Sequence, residues 1–317
     1  METAIQPTTL PSWTLRLPRG RALVLGRTPQ VMGILNLTPD SFSDGGRFVD
    51  PKRAVERGLA MLAEGADLLD LGAESTRPGG GVYGAGARTV PAEEELARLL
   101  PVLGGLRRAT DAPLSVDTRK GAVARQALAA GADLVNDISA LSDPDLGRAV
   151  AAAGCPLVLM HSRGDLATMQ REIHFADLLS EVRAELGQAV ERAMALGIDP
   201  GQLVLDPGIG FGKTAGQNLL LVRRLDALAE LGRPLLLGAS RKSFLGNISG
   251  KASGVAGEAS PDRRLGGSLA AVGWAALHGA ALVRVHDVAE SVQFLAAWQA
   301  IATSATTSAT TSGSSGR

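Results

Sequence analysis

The sequence predicts an α/β protein built as a single closed (β/α)8 TIM barrel, with a short N-terminal β-hairpin and a disordered C-terminal tail. Three observations carry that expectation. Short apolar runs rich in Val, Leu and Ile alternate eight times with longer Ala-, Leu-, Arg- and Glu-rich segments along 317 residues. Each run is near-continuously apolar rather than alternating, as strands buried on both faces of a parallel sheet must be. A short repeat also recurs where a segment ends and a run begins: Gly65-Ala66-Asp67-Leu68, Gly131-Ala132-Asp133-Leu134 and Gly279-Ala280-Ala281-Leu282. Glycine at such a place closes a helix in the left-handed region. Eight βα units of this size make one barrel of about 250 residues. The competing architecture is an open doubly wound sheet, but the first run lacks the G-x-G-x-x-G turn of that fold.

Taken in order, residues 1–30 form an extension in which Trp13–Leu17 and Ala22–Leu25 are expected to pair across the Pro18–Arg21 turn and cap the barrel bottom. The barrel is expected over 31–301. Its strands fall at Val31–Leu35, Ala66–Leu71, Pro113–Val116, Ala132–Val135, Pro156–Met160, Leu203–Leu205, Pro234–Leu237 and Ala281–Val285. Helical spacing of apolar residues places helices at Lys52–Glu64, Ala92–Ala109, Gly121–Ala130, Asp177–Leu196, Asn218–Glu230, Leu265–His278 and Ala289–Ala302, with a shorter one at Asp143–Ala153. Pro51 and Pro91 sit where helices begin, which suits a residue with no N–H to donate. The segment Asn247–Arg264, rich in Gly and Ser, reads as a surface insertion. Residues 302–317, almost all Ala, Ser, Thr and Gly, lack the side chains for a core and read as a disordered tail.

Composition removes several functions. With 32 Lys+Arg against 32 Asp+Glu the net charge is zero, so no global field draws in nucleic acid or an anionic membrane. Aromatics at 3% leave little for stacking single strands. One cysteine, Cys155, supports neither a disulfide framework nor a multi-cysteine zinc site. It precedes an apolar run with nothing nearby to lower its pKa, and reads as a buried inert thiol. No stretch has the length of a membrane span, and residues 1–30 hold no apolar run of signal-peptide length. A cytoplasmic protein acting on small molecules is the expectation.

In a (β/α)8 barrel the site lies at the C-terminal ends of the strands. In order, the runs here lead to Asn36; Asp70; Asp117; Asn136 and Asp137; His161; Asp206; Ser240, Arg241 and Lys242; and Arg284 and His286. One polar residue after a strand is as readily a helix cap as a ligand contact. Eight in succession are not, because buried carboxylates and amides need partners and a polar ligand in the barrel mouth supplies them. Two loops, Leu37–Asp50 and Glu74–Val90, are long and glycine-rich, as lids and binding loops are. Asp117, Asn136 and Asp206 suit a flat heterocycle rich in N–H groups. Arg77, Arg284, His286 and Lys242 donate to an anion such as phosphate. Asn36 is a neutral oxygen ligand able to hold Mg2+ beside a pyrophosphate.

The motifs are also those of a known family. Gly33-Ile34-Leu35-Asn36-Leu37-Thr38-Pro39-Asp40-Ser41-Phe42-Ser43-Asp44-Gly45-Gly46 and Glu74-Ser75-Thr76-Arg77-Pro78-Gly79 resemble the two signatures of dihydropteroate synthases. Ser115–Thr118, Val135–Ile138, Leu159–His161, Asp206–Lys213, Ser240–Ser243 and Arg284–Val288 follow in that family's order. The resemblance implies a transferase of folate synthesis, the sulfonamide target, which condenses 6-hydroxymethyl-7,8-dihydropterin diphosphate with 4-aminobenzoate by a dissociative substitution. It implies that Asp117, Asn136, Asp206 and Lys242 hold the pterin, with Ile138 and Met160 lining its pocket. Asn36, Arg284 and His286 would take the diphosphate and Mg2+, and Thr76, Arg77, Pro78, Phe211, Ser240 and Lys242 the aminobenzoate. Asp117, Arg284, His286, Lys242 and Arg77 would carry the chemistry. A homodimer through the last helices is implied too. The alternatives are a corrinoid-type pterin methyltransferase barrel, which needs no diphosphate site, and a silent paralogue. Ala73 stands where the family usually has Gly, and Gln217 where it commonly has His. His161 is left open between contacting substrate and supporting its neighbours.

Overall fold

The computed structural model describes residues 12–26, 28–38, 50–74, 90–164, 169–170, 173–252, 254 and 257–304. Strands β1 (Trp13–Leu17) and β2 (Arg21–Leu25) form an antiparallel hairpin, with Leu15 opposite Leu23. The barrel strands are β3 (Gln30–Asn36), β4 (Leu68–Gly72), β5 (Leu114–Asp117), β6 (Leu134–Asp137), β7 (Leu157–Met160), β8 (Leu203–Asp206), β9 (Leu235–Leu237) and β10 (Ala280–Val285). Pairing runs β3 through β10 in sequence, and β10 returns to β3 with Val283 opposite Val31. That last pairing closes the barrel and excludes the open sheet.

The helices are α1 (Pro51–Ala63), α2 (Ala92–Ala109), α3 (Gly121–Ala129), α4 (Pro144–Ala153), α5 (Leu178–Ala195), α6 (Ala215–Arg223), α7 (Ser243–Ala252), α8 (Leu265–Leu277) and α9 (Val288–Thr303). Asp50, Asp143 and Asp177 cap α1, α4 and α5 by accepting a backbone N–H of the first turn. The three repeat glycines take φ of +103° (Gly65), +111° (Gly131) and +87° (Gly279), the left-handed turn the repeat predicts. The outward-facing strand residues and the inner faces of the helices share one core that includes Leu69, Val116, Leu159 and Leu205.

Three expectations need correction. The helix anticipated over 218–230 is two pieces, because Arg224 leaves the helical region and Leu225–Leu231 continues as 3-10 helix. The described residues of 247–264 are mostly exposed, as a surface reading expects, with Gly250, Ala259 and Arg264 buried, but the segment opens inside α7 rather than in an insertion, and Pro261–Arg263 form a 3-10 turn. Finally, α9 keeps Ala302 and Thr303, which composition alone assigns to the tail; residues 305–317 lie outside the described residues.

The hairpin sits under the barrel. Leu15, Leu17, Leu23 and Leu25 share a core with Met32, Leu68, Leu134, Val158, Val204, Leu236 and Leu282, which come from the N-terminal halves of five strands and the middles of β9 and β10. Apolar side chains therefore fill the bottom of the barrel and leave the polar strand ends to the top. Asp133, fully buried, latches the plug: Arg19 and Arg107 pair with it at 2.6 Å each, Arg21 pairs with it too, and Leu114 N donates at 2.9 Å. Gln202 hydrogen-bonds both backbone groups of Arg16, with N–H to Oε1 at 2.9 Å and Nε2 to O at 2.6 Å, and so occupies the strand's outer edge.

Candidate active site

Strand geometry decides which polar residues meet. Successive side chains of a strand face opposite ways, so Asn136 faces the barrel mouth while Asp137 turns outward. Asp137 accepts the backbone N–H groups of Ser139 (2.8 Å) and Leu141 (2.6 Å) and the Ser139 hydroxyl (2.6 Å), capping the turn before α4. Of the two residues that close β6, only Asn136 is available to a ligand.

Arg284 on β10 is the hub. Its Nε donates to Asp70 Oδ2 at 2.6 Å and its Nη2 to Asp117 Oδ2 at 2.8 Å. Asp70 Oδ2 also accepts Asn136 Nδ2 at 3.0 Å. Asp206 follows on β8 and accepts the N–H of Gly208 at 2.7 Å. Three carboxylates thus surround the two cations Arg284 and Lys242. Burial pushes Asp117 up to about 7, against the pull of Arg284 and with help from Asp70. Burial raises Asp206 as well, opposed by Lys242. It draws Lys242 down to about 8, opposed by Asp206. Asp70 Oδ1 and Asp117 Oδ1 are buried without a hydrogen-bond partner, the state expected of acceptors that meet ligand N–H groups.

The turn after β9 is held in an unusual shape. Arg241 takes φ +56°, a region costly for a side chain. It is pinned there by paired bonds to Asp287, by its own N–H to Ser268 Oγ (3.0 Å) and by Arg264 on its carbonyl (2.8 Å). On one side of this elbow Ser240 Oγ meets His286 Nδ1 at 3.1 Å and accepts the His286 backbone N–H at 3.2 Å. The hydroxyl has a second lone pair and one O–H, so it serves either tautomer of the ring. On the other side Lys242 donates to Ile209 O and lies 4.8 Å from the Phe211 ring centroid. Ser243 then opens α7, the helix start expected to favour an anion.

An apolar wall faces these charges. Ile138, Met160 and Phe211 cluster with Met169, all 8% exposed or less. Phe211 rides on the loop after β8, which turns sharply at Gly208 (φ +68°), where any Cβ would collide with the carbonyl oxygen of His161. Asn36 stands at the end of β3 opposite Gly72. Thr76, Arg77 and Pro78 lie outside the described residues.

Several residues escape strand-end reasoning. Asp70 is visible as a strand end, but its grip on both Arg284 and Asn136 is not. Met169 carries no local signal, and Arg241, visible after the seventh run, gives no sign of its positive φ. Ala73 is buried in the core with its carbonyl held by Arg98 at 3.0 Å, so the extra methyl is accommodated. Gln217 completes a capping box with Thr214, accepting Thr214 N–H at 2.8 Å while Thr214 Oγ1 accepts Gln217 N–H at 3.2 Å. His161, 2% exposed, bonds Glu185 and Lys213 and is a supporting residue. Cys155 is buried and its thiol is pushed up to about 12, so it stays protonated.

Buried acceptors beside an arginine-lysine-histidine edge, at the C-terminal face of a βα barrel, define an enzyme that binds a polar ring next to an anion. Residues 32–286 match the family described as pterin binding enzyme. The dihydropteroate synthase of Mycobacterium leprae is 48% identical over 268 residues, covering 84% of this chain and 91% of that one. The Xanthomonas albilineans dihydropteroate synthase solved with 4-aminobenzoic acid matches with a TM-score of 0.82 at 45% identity, over 93% of this chain and 100% of that one. The same organism's enzyme in complex with 7,8-dihydropteroate matches with a TM-score of 0.77 at 42% identity, over 92% and 100%. This chain belongs to the dihydropteroate synthase family.

Proposed function

We infer that the chain condenses 6-hydroxymethyl-7,8-dihydropterin diphosphate with 4-aminobenzoate to give 7,8-dihydropteroate and pyrophosphate. The observation that carries this reading is the arrangement at the barrel mouth: acceptors on β4, β5, β6 and β8 beside donors on β10 and after β9. Asp117, Asn136 and Asp206 accept the ring N–H groups of the pterin, and Ile138 and Met160 pack its faces. Arg284 and His286 donate to the diphosphate. Phe211, Ser240, Lys242 and the loop residues Thr76, Arg77 and Pro78 receive the aminobenzoate.

The methylene carbon–oxygen bond breaks with its electron pair going to the diphosphate, and the donors of Arg284 and His286 offset that charge. The carboxylates around the ring, chiefly Asp117, stabilise the cationic pterin. The aniline lone pair then forms the new C–N bond and its proton leaves to solvent. A methyltransferase reading leaves the anion-binding edge at Arg284 and His286 without a task.

Asn36 fits the usual way Mg2+ is held, by few protein oxygens with phosphate and water completing the shell. Among the described residues no group of three His, Cys, Asp or Glu side chains is arranged to hold a metal, and the reading rests on Asn36 with the diphosphate and water as the other ligands. Mg2+, when bound, supplies further positive charge to the diphosphate.

Exposed Leu219 and Leu220 on α6, Ile248 on α7, Trp274 on α8 and Ile301 on α9 support a homodimer through this side. No described helix is long and apolar enough to cross a membrane, and a lone buried thiol suits the cytoplasm.

The test is pyrophosphate release by purified protein with Mg2+, the pterin diphosphate and 4-aminobenzoate. Release that depends on 4-aminobenzoate is expected, and its absence overturns the reading. Light scattering tests the dimer, with a monomeric mass counting against it.

A further inference from the structure

Lys213 has no part in the chemistry above, yet it is 3% exposed, directly behind the aminobenzoate wall. Its ammonium has three N–H groups and meets three acceptors: Gly208 O at 3.0 Å, Phe211 O at 2.9 Å and His161 Nδ1 at 2.9 Å. His161 Nε2 in turn lies 3.1 Å from Glu185 Oε2 on α5, and Arg163 pairs with the same carboxylate. With Lys213 as an ammonium, Nδ1 accepts from it, and the His161 proton then sits on Nε2 and is donated to Glu185. We propose that Lys213, backed by His161 and Glu185, is a positioning residue: it clamps the loop that carries Phe211 and, through Gly208, the carboxylate of Asp206.

The loop has reason to need a clamp. Between Asp206 and Lys213 it passes through three glycines at positive φ, Gly208, Gly210 and Gly212, so its backbone has little intrinsic stiffness. Turning two of its carbonyls onto one buried cation removes that freedom. A buried ammonium is costly unless every donor is matched, and here every one is. Burial draws Lys213 down to about 7, opposed by Asp206 from β8 and Glu185 from α5 and aided by Lys242 from the elbow after β9 and Arg163 beside His161. Burial lowers His161, and the His161 hydrogen bond holds Glu185 down at about 2. Both directions agree with an uncharged imidazole between a cation and a carboxylate. The clamp acts from behind: no atom of Lys213 is assigned to either substrate.

The proposal rests on placing Phe211 against the aminobenzoate, so its test has one arm that needs no substrate. In Lys213→Met, which keeps the stem and removes the donors, hydrogen exchange of the 207–214 peptide should quicken at least tenfold in the unliganded protein. The KM for 4-aminobenzoate should rise about tenfold, while that for the pterin diphosphate moves less than threefold, because Asp206 is also held by its own strand. Should Lys213→Met fold poorly, Glu185→Gln, two bonds further out, should show the same KM asymmetry at about threefold. Unchanged exchange at 207–214 in both variants overturns the clamp. So does an equal rise in both KM values, which a merely structural lysine would produce. Absence of turnover in the unmodified enzyme would count against the functional reading alone, since the exchange arm reads the clamp without it.

Discussion

Asp117→Asn separates what the barrel mouth does for function from what it costs the fold. Asp117 sits there beside Arg284 and Asp70, and burial, opposed by Arg284, raises its pKa from 3.8 to about 7. At 1.36 kcal/mol per pH unit, ionising it in the folded protein costs about 4 kcal/mol. The sign follows from linkage. A carboxyl whose pKa is raised on folding contributes stability that is fully present below pH 3.8 and lost as pH climbs to about 7. The amide cannot ionise and so escapes that loss. The variant's advantage in Tm should therefore grow between pH 5 and pH 8 by the equivalent of about 3 kcal/mol, several degrees for a domain of this size. Any constant offset from exchanging carboxyl for amide cancels in that comparison. The assay is thermal melting of unliganded protein across this range, paired with pyrophosphate release. Turnover should fall by about a hundredfold, the scale of losing one preorganised electrostatic contact. A Tm difference that is flat or shrinks with pH refutes the argument.

The remaining predictions draw on other parts of the molecule. The pH profile of kcat/KM should be a narrow bell, rising as Asp117 ionises near pH 7 and falling as Lys242 loses its proton near pH 8; in Lys242→Arg the alkaline limb should vanish, and its persistence would assign that limb elsewhere. Asp133→Ala removes the acceptor shared by Arg19, Arg21 and Arg107 and should cost about 3–5 kcal/mol in denaturant melts while kcat stays within twofold. A large fall in kcat would show that the barrel bottom reaches the active centre. Thr214→Ala breaks the capping box and should cost about 1 kcal/mol, measured as a lower denaturation midpoint with unchanged slope.

The barrel was legible because it repeats. Eight buried runs with a glycine turn between units leave few alternatives, and the residue after each run is at the top by construction. Hence Asp117, Asn136, Asp206, Lys242, Arg284 and His286 can be found from position alone. What stays hidden depends on partners far apart in sequence. Asp70 and Arg284 are 214 residues apart, and Lys213 and His161 are 52 apart; no window along the chain contains either pair. Asp137 illustrates a subtler limit. It adjoins Asn136 and has the right chemistry, but the period of the strand turns it away. Gln217 is the opposite case: the Thr-x-x-Gln spacing was readable, and only comparison with a family that prefers another residue made it look like a departure.

The plug under the barrel has a consequence for how the chain is made. Residues 13–25 leave the ribosome before every barrel strand, yet their leucines pack against strands that extend to Leu282. The hairpin must therefore hold four leucines in water until the last barrel strand has been synthesised. Contacts of such sequence separation form late and slowly, and an unpaired hairpin invites association in the meantime. The arginines at its turn, Arg19 and Arg21, and Arg16 on its strand keep the waiting segment soluble, and become its anchors once Asp133 and Asp199 have been built.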